Sequence, residues 1–71
     1  MAVNQRLREL RLEKKVTQQS VANAIGITVG NVQKIEYGTT QPKLGNVIKL
    51  ADFFNVSIDY LVGRSDNPAR L

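Results

Sequence analysis

The side chains best suited to recognising another molecule lie on one short helical stretch, residues 29–37. Val32 and Ile35 form a narrow apolar stripe at helical spacing, so the other side of the stretch faces outward. Amide side chains can pair with adenine, a lysine with guanine, and an apolar group can contact the methyl group of thymine. The outward side carries Val29, Gly30, Asn31, Gln33, Lys34 and Tyr37. This composition fits a surface that recognises base edges, and it fits an ordinary solvated helix face equally well.

The side chains that enzymes commonly use are missing from the sequence. It contains no His and no Cys, and its six acidic residues do not pair on a common face. Neither an acid–base set, a nucleophile with its base, nor a thiolate metal site can be assembled from what remains. We therefore expect a protein that is not an enzyme, and we predict no metal, no cofactor and no small-molecule ligand.

Length and charge narrow the class of partner. The chain has 71 residues, which is one domain at most, and a net charge of +4. A net positive charge favours an anionic partner such as nucleic acid, although a charge of this size also simply keeps a protein in solution. The sequence has no apolar run long enough to span a membrane and no apolar signal core at its start. The expectation is a cytoplasmic protein without a membrane partner.

Start and stop signals divide the chain into helices. The residues Thr17, Thr28 and Ser57 are good N-caps. Each is preceded by an apolar residue and followed four positions later by another, which is the spacing of a hydrophobic staple. Left-handed residues that end helices are expected at Gly26, Gly38, Asn55 and Gly63. The predicted helices span residues 3–14, 18–25, 29–37, 44–54 and 58–62. Residues 1–63 are predicted to form the domain, and residues 64–71 a flexible tail or the start of a linker.

The short glycine turn Gly26-Ile27-Thr28 joins two of these helices, as in a helix-turn-helix. Residues 3–63 strongly resemble the phage repressor and Cro type of helix-turn-helix domain, also called the xenobiotic-response-element type. The matching segments are Val16 to Ala22, Ile25 to Thr28, Val32, Ile35 to Gly38, Pro42, Leu44, Leu50-Ala51 and Asn55 to Leu61. The resemblance implies an all-α fold of five helices, with the second and third forming the helix-turn-helix and the third lying in the major groove of DNA.

The resemblance also assigns roles to individual residues. The positions expected to contact bases are Thr28, Val29, Gly30, Asn31, Gln33 and Lys34. The positions expected to contact phosphates are Gln18, Tyr37, Thr39, Thr40 and Lys43, and we add Arg11 to them. Arg11 and Glu36 match a pair that bridges the first and third helices, and the last helix matches a two-fold dimer contact. That dimer contact is expected to involve Ile58 and Tyr60, together with Phe53.

Some positions depart from the family pattern. Lys15 stands where a glycine usually ends the first helix, so it is expected to take a left-handed conformation at some cost. Val29 and Gly30 replace the polar residues that often begin the third helix. In the fourth helix, the apolar stripe predicted to face the core comprises Leu44, Val47, Ile48, Ala51 and Phe54.

These observations predict a sequence-specific transcriptional regulator, a phage or prophage-type repressor that binds a two-fold symmetric operator in double-stranded DNA as a homodimer. An antitoxin or a restriction-modification controller would use the same domain. A rival of another class is a protein-interaction module whose basic first helix docks on an acidic partner or a membrane. That helix and its end carry Arg6, Arg8, Arg11, Lys14 and Lys15 against Glu9 and Glu13.

Overall fold

Five α-helices make up the computed structural model, which describes residues 2–70. They are α1 (Ala2–Lys14), α2 (Gln18–Ile25), α3 (Val29–Tyr37), α4 (Leu44–Phe54) and α5 (Ile58–Leu61). The predicted all-α, five-helix architecture is therefore confirmed, with each boundary within one residue of its expected place. Met1 and Leu71, the outer ends of the predicted domain and tail, lie outside the described residues. Within residues 2–70, no helix is long and apolar enough to cross a membrane.

Three of the helices begin with the same hydrogen bond. The side-chain oxygens of Thr17, Thr28 and Ser57 each accept from the backbone N–H three residues later, at 3.0–3.1 Å. All three caps have extended backbone angles, as an N-cap requires. A cap of this kind contributes about 0.5–2 kcal/mol. In a short domain these caps fix where α2, α3 and α5 start.

Left-handed residues end the helices, as expected. Gly26 and Gly38 follow α2 and α3 with φ of 76° and 80°. Glycine adopts this left-handed conformation without a steric clash because it has no Cβ. Lys15 and Asn55 take the same conformation with φ of 58° and 55°. The left-handed conformation predicted for Lys15 is therefore confirmed, and this side chain costs about 1–2 kcal/mol there.

The core lies between α1, α2 and α4, with α3 and α5 closing its two sides. Helix α1 packs on α3 and α5, while α2 packs on α3 and α4. The buried hydrophobic residues are Val3, Leu7, Leu10, Val21, Ala22, Ile25, Val32, Ile35, Val47, Leu50, Ala51, Phe54, Val56 and Leu61. Because α3 is held on one side only, its opposite side stays open to solvent.

The apolar stripe predicted for α4 was wrong at two positions. Leu44 is 70% exposed and Ile48 is 41% exposed, whereas Leu50 is fully buried. The buried line of the helix runs through Val47, Leu50 and the residues one turn further on, and Leu44 and Ile48 lie to one side of it. The apolar residues of α4 cover a wider part of the helix circumference than the core can bury. The sequence alone does not show which edge of this apolar surface packs against the other helices.

Residues 64–70, predicted to be a flexible tail or the start of a linker, contact the helical domain at several points. Pro68 accepts a backbone hydrogen bond from Ser57 at 3.0 Å, and Arg70 donates to the carbonyl of Ala51. Arg6 of α1 forms an ion pair with Asp66 at 2.8 Å. The hydrogen bond that Arg6 donates to the Asp66 carboxylate raises the pKa of the guanidinium above its ordinary value. Backbone and charged contacts, which have no signature in the sequence, thus place this segment beside α4 and α5.

A buried ion pair ties α1 to α3. Arg11 Nε donates to Glu36 Oε2 at 2.7 Å, and Arg11 Nη2 donates to Glu36 Oε1 at 3.2 Å. The side chain of Glu36 is 3% exposed and that of Arg11 is 16% exposed. A carboxylate with so little contact with water depends on its partners, because an unpaired buried charge is strongly destabilising.

We predict that Arg11→Ala lowers the free energy of unfolding by about 3–5 kcal/mol, because it leaves the Glu36 carboxylate buried without its cation. Denaturant melts followed by circular dichroism measure this change. Arg8→Ala is the matched control, since Arg8 is an exposed arginine of the same helix; it is expected to change stability by less than about 0.5 kcal/mol. A loss below about 1 kcal/mol for Arg11→Ala would show that the pair behaves like a surface salt bridge.

Candidate nucleic-acid interface

The turn between α2 and α3 sets the angle at which α3 stands on the domain. The N–H groups of Gly26 and Ile27 both donate to the carbonyl of Ala22, which closes the end of α2. Thr28 then caps α3, and the half-buried Ile27 packs on the core between them. Val32, Ile35 and Glu36 are the buried residues of α3. The helix therefore presents its remaining side outward along its whole length.

The six residues expected to contact bases form the recognition face, defined as Thr28, Val29, Gly30, Asn31, Gln33 and Lys34. The structure places Asn31, Gln33 and Lys34 on the exposed side of α3. Thr28 is also exposed, and its hydroxyl oxygen is engaged by the backbone N–H of Asn31. Val29 differs from the others, because its side chain is half-buried and packs against the hydrophobic core. The polar capacity of this face thus lies in Asn31, Gln33 and Lys34.

Gly30 leaves open space on the recognition face. A Cβ added to Gly30 would meet only the hydroxyl oxygen of Thr28, at the ordinary contact distance of 3.9 Å. The packing of the protein therefore does not require a glycine at this point of the helix. An Ala would make a better helix residue by about 1 kcal/mol.

Gln18, at the first position of α2, connects the recognition face to the buried ion pair. Its Nε2 donates to Glu36 Oε1 at 3.2 Å, and its Oε1 accepts from Gln33 Nε2 at 3.3 Å. The first backbone N–H groups of an α-helix lack partners within the helix, which gives the start of α2 a positive potential suited to a phosphate. Gln18 thus lies beside the recognition face, where its phosphate role was expected.

Four other residues expected to contact phosphates lie at the C-terminal end of α3 and in the segment that follows it. Tyr37, Thr39, Thr40 and Lys43 are all exposed. A shallow groove between α3 and α4 is lined by Asn31, Thr40 and Lys43, among others. The hydroxyl of Thr39 donates to the carbonyl of Lys34 at 3.2 Å, so a phosphate would have to compete for that proton.

Arg11 was expected to contact a phosphate and also to pair with Glu36, and the structure shows the second arrangement. Its Nε and Nη2 bind Glu36, and its Nη1 donates to the carbonyl of Val16 at 3.4 Å. Its charge is balanced by Glu36 and its side chain is largely buried. Lys34 and Lys43 are the remaining cations between residues 17 and 43.

Asn4 belongs to this region, although the sequence did not single it out. Its Nδ2 donates to the carbonyl of Glu36 at 3.4 Å, near the end of α3. A Cβ on Gly38 would lie 3.3 Å from the same nitrogen, so the glycine lets α1 approach. A single asparagine in the first helix forms no recognisable pattern, because its partner is a backbone carbonyl 32 residues away.

The residues expected at a dimer contact differ in exposure. Ile58 is 40% exposed and Phe53 is 39% exposed, which leaves apolar surface around α5. Tyr60 is half-buried, and its ring lies under the guanidinium of Arg6, 4.0 Å from the ring centroid. Within residues 2–70, Ile58 and Phe53 therefore offer more free apolar surface to a partner than Tyr60 does.

Comparison with known proteins gives close sequence relatives. The chain is 43% identical over 61 residues to the cryptic phage CTXphi transcriptional repressor RstR of Vibrio cholerae; the match covers 86% of this chain and 55% of that protein. It is 38% identical over 64 residues to the uncharacterised helix-turn-helix-type transcriptional regulator YobD of Bacillus subtilis, covering 90% of this chain and 57% of that protein. The chain thus spans about half the length of these relatives.

Solved structures and a family sequence model agree on the fold. The P22 c2 repressor in complex with a synthetic operator is 24% identical with a TM-score of 0.80, covering 86% of this chain and 92% of that one. The description of the matching family is helix-turn-helix, and its model aligns with residues 7–61. From the family match and the phage-repressor relatives, this chain belongs to the Cro/C1-type helix-turn-helix family, which is a family of DNA-binding transcriptional regulators and not of enzymes.

Proposed function

We propose that this chain is a sequence-specific regulator of transcription, a repressor of the phage type that places α3 in the major groove of double-stranded DNA. One observation carries the proposal. The exposed surface of α3 presents Asn31, Gln33 and Lys34, outside the strip that Val32, Ile35 and Glu36 bury in the core. Amides and an amine at the surface of a rigidly held helix are the groups that distinguish base pairs in the major groove.

Groups on both sides of α3 fit the sugar–phosphate backbone. The first turn of α2, with Gln18, lies on one side of the helix, and the segment from Thr39 to Lys43 lies on the other. Such contacts hold a protein in register on the duplex, whereas base contacts supply sequence preference. Repression then follows from occupying the site, which fits a chain without catalytic side chains.

The name of its relative RstR supports repression in particular, because that protein is a phage transcriptional repressor with 43% identity to this chain.

A second candidate role is favoured by another solved structure. The restriction-modification controller protein C.AhdI from Aeromonas hydrophila is 33% identical with a TM-score of 0.78, over 84% of this chain and 91% of that one. Both roles require the same groove-reading domain, and only the genes under control differ.

The rival role of an interaction module built on the basic first helix is weakened by the structure. Arg6 is paired with Asp66 and Arg11 with Glu36, so two of its five cations are already neutralised. Arg8, Lys14 and Lys15 remain exposed. Val3, Leu7 and Leu10, on the apolar side of α1, are buried in the core and are therefore not available to enter a membrane.

We further propose that the chain acts as a homodimer on an operator with two-fold symmetry. Half-sites would lie about one helical turn apart, roughly 34 Å. The exposed apolar groups of Ile58 and Phe53 suit an isologous contact, in which the same patch meets itself. The domain would remain in the cytoplasm, where it has access to DNA.

Selection of bound sequences from a random DNA pool tests the function directly. We expect a two-fold symmetric site, bound with an affinity that falls with salt at a slope of about −4 in log–log form, because Lys34 and Lys43 would displace about four counterions per dimer. Scrambled DNA is the control in the same titrations. Recovery of no preferred sequence, together with a slope of about −8 or steeper, would contradict groove recognition and favour general binding by α1.

Gly30→Ala separates folding from recognition. The variant should raise the free energy of unfolding by about 0.4–1 kcal/mol, because the site has room for a methyl group and Ala favours the helix. It should nevertheless weaken binding to the selected site by about tenfold, if the backbone of α3 closely approaches DNA. Thermal melts and operator titrations measure the two effects. Unchanged operator affinity in the stabilised variant would show that no close approach occurs at Gly30.

Ile58→Glu tests the dimer. A charge in the apolar contact should prevent the second subunit from binding cooperatively. We expect sedimentation on operator DNA to show one variant subunit per duplex, at concentrations at which the wild-type protein binds as two subunits per duplex. Leu12→Glu is the matched control, since Leu12 is an exposed apolar residue of α1. Equal assembly of wild type and Ile58→Glu would remove α5 from the interface.

A further inference from the structure

The most unusual arrangement on the recognition face is the chain of hydrogen bonds that ends at Gln33. Arg11 binds Glu36, Gln18 donates to Glu36, and Gln33 donates to Gln18. Within residues 2–70, neither Asn31 nor Lys34 has a side-chain group held by another side chain. Of Asn31, Gln33 and Lys34, Gln33 is therefore the one whose head group has a defined orientation before any other molecule arrives.

The orientation of Gln18 follows from the chemistry of its neighbour. A carboxylate paired with an arginine can only accept hydrogen bonds, so Gln18 must turn its NH2 group toward Glu36. Rotating the amide of Gln18 by 180° would place two acceptors against each other. Its carbonyl oxygen must then point the other way, where it lies 3.3 Å from Gln33 Nε2.

The orientation of Gln33 follows in turn. Because the carbonyl oxygen of Gln18 is an acceptor, Gln33 must donate one of its two amide hydrogens to it. Its carbonyl oxygen and its second N–H remain free on an exposed side chain. This pair, one acceptor beside one donor, matches the major-groove edge of adenine, which offers the N6 donor and the N7 acceptor. Guanine offers two acceptors at the same edge and matches it poorly.

We propose that the buried Glu36 carboxylate, acting through Gln18, fixes the amide of Gln33 so that adenine is preferred at the base pair that Gln33 faces. The proposal rests on the proposed function, since it names which base one residue of that interface selects. Gln18 is then a positioning residue in addition to any contact it makes with a phosphate. A glutamine without such an anchor loses more freedom when it binds, and it can turn its donor toward either purine.

The test compares wild type, Gln18→Ala and Gln33→Ala on the selected operator and on its variants at every base pair. The pair that Gln33 faces is the one whose preference disappears in Gln33→Ala. At that pair we expect wild type to prefer adenine over guanine by about tenfold or more, and Gln18→Ala to reduce the ratio below about threefold. Preferences at the other pairs should stay within about twofold, whatever the overall loss of affinity.

Gln19→Ala is the matched control, because Gln19 is the next glutamine of α2 and its amide donates to Asn23, outside the chain of bonds. It should leave the adenine ratio unchanged. In the free protein, the side-chain NH2 resonances of Gln33 should shift in Gln18→Ala and stay in place in Gln19→Ala. This NMR measurement needs no DNA, and its backbone spectrum also shows that each variant is folded.

Each of the following results overturns the proposal. A preference for guanine at this pair in wild type contradicts the assigned orientation of Gln33. A uniform loss of affinity in Gln18→Ala, with the adenine ratio intact, reduces Gln18 to a phosphate contact. Unshifted NH2 resonances of Gln33 in Gln18→Ala show that the two amides are not joined. If wild type has no sequence preference at any pair, the proposed function fails and the proposal with it, whereas preferences confined to other pairs contradict this proposal alone.

Discussion

A carboxylate placed where water hardly reaches it is the most demanding feature of this small domain. Glu36 is the buried charged residue of the core region, and its position is tolerable only while donors surround it. Those donors come from two other helices, Arg11 from α1 and Gln18 from α2. The pairing therefore fixes α3 relative to both, and the helix that carries the recognition face cannot shift without uncovering the charge.

The placement of this charge also shapes the electrostatics of the interface. Glu36 lies on α3 itself, where a free carboxylate would repel phosphates, and Arg11 neutralises it. The same pairing withdraws Arg11 from the surface. The cations of residues 17–43 are Lys34 and Lys43. With only these two cations per subunit, this surface gains limited non-specific attraction to DNA. It depends on amides, hydroxyls and helix ends, whose contacts require a good geometric fit.

Local signals explain why so much of the fold could be predicted from the sequence. Caps such as Thr28 and left-handed helix ends such as Gly26 act within a few residues, and the structure has them where the sequence indicates. Features that depend on contacts between distant residues could not be found in this way. The exposed edge of α4 at Leu44, the contact of Asp66 with α1, and the hydrogen bond from Gln33 to Gln18 all depend on how helices come together.

The central claim is that α3 and the segments beside it form the surface that meets DNA. Mapping backbone amide shifts by NMR during titration with the selected operator tests it most directly. The account predicts that the largest shifts occur at the start of α2, along α3 and in residues 39–43, while the exposed cations of α1 change little. Large shifts at Arg8, Lys14 and Lys15, with α3 unchanged, would contradict it.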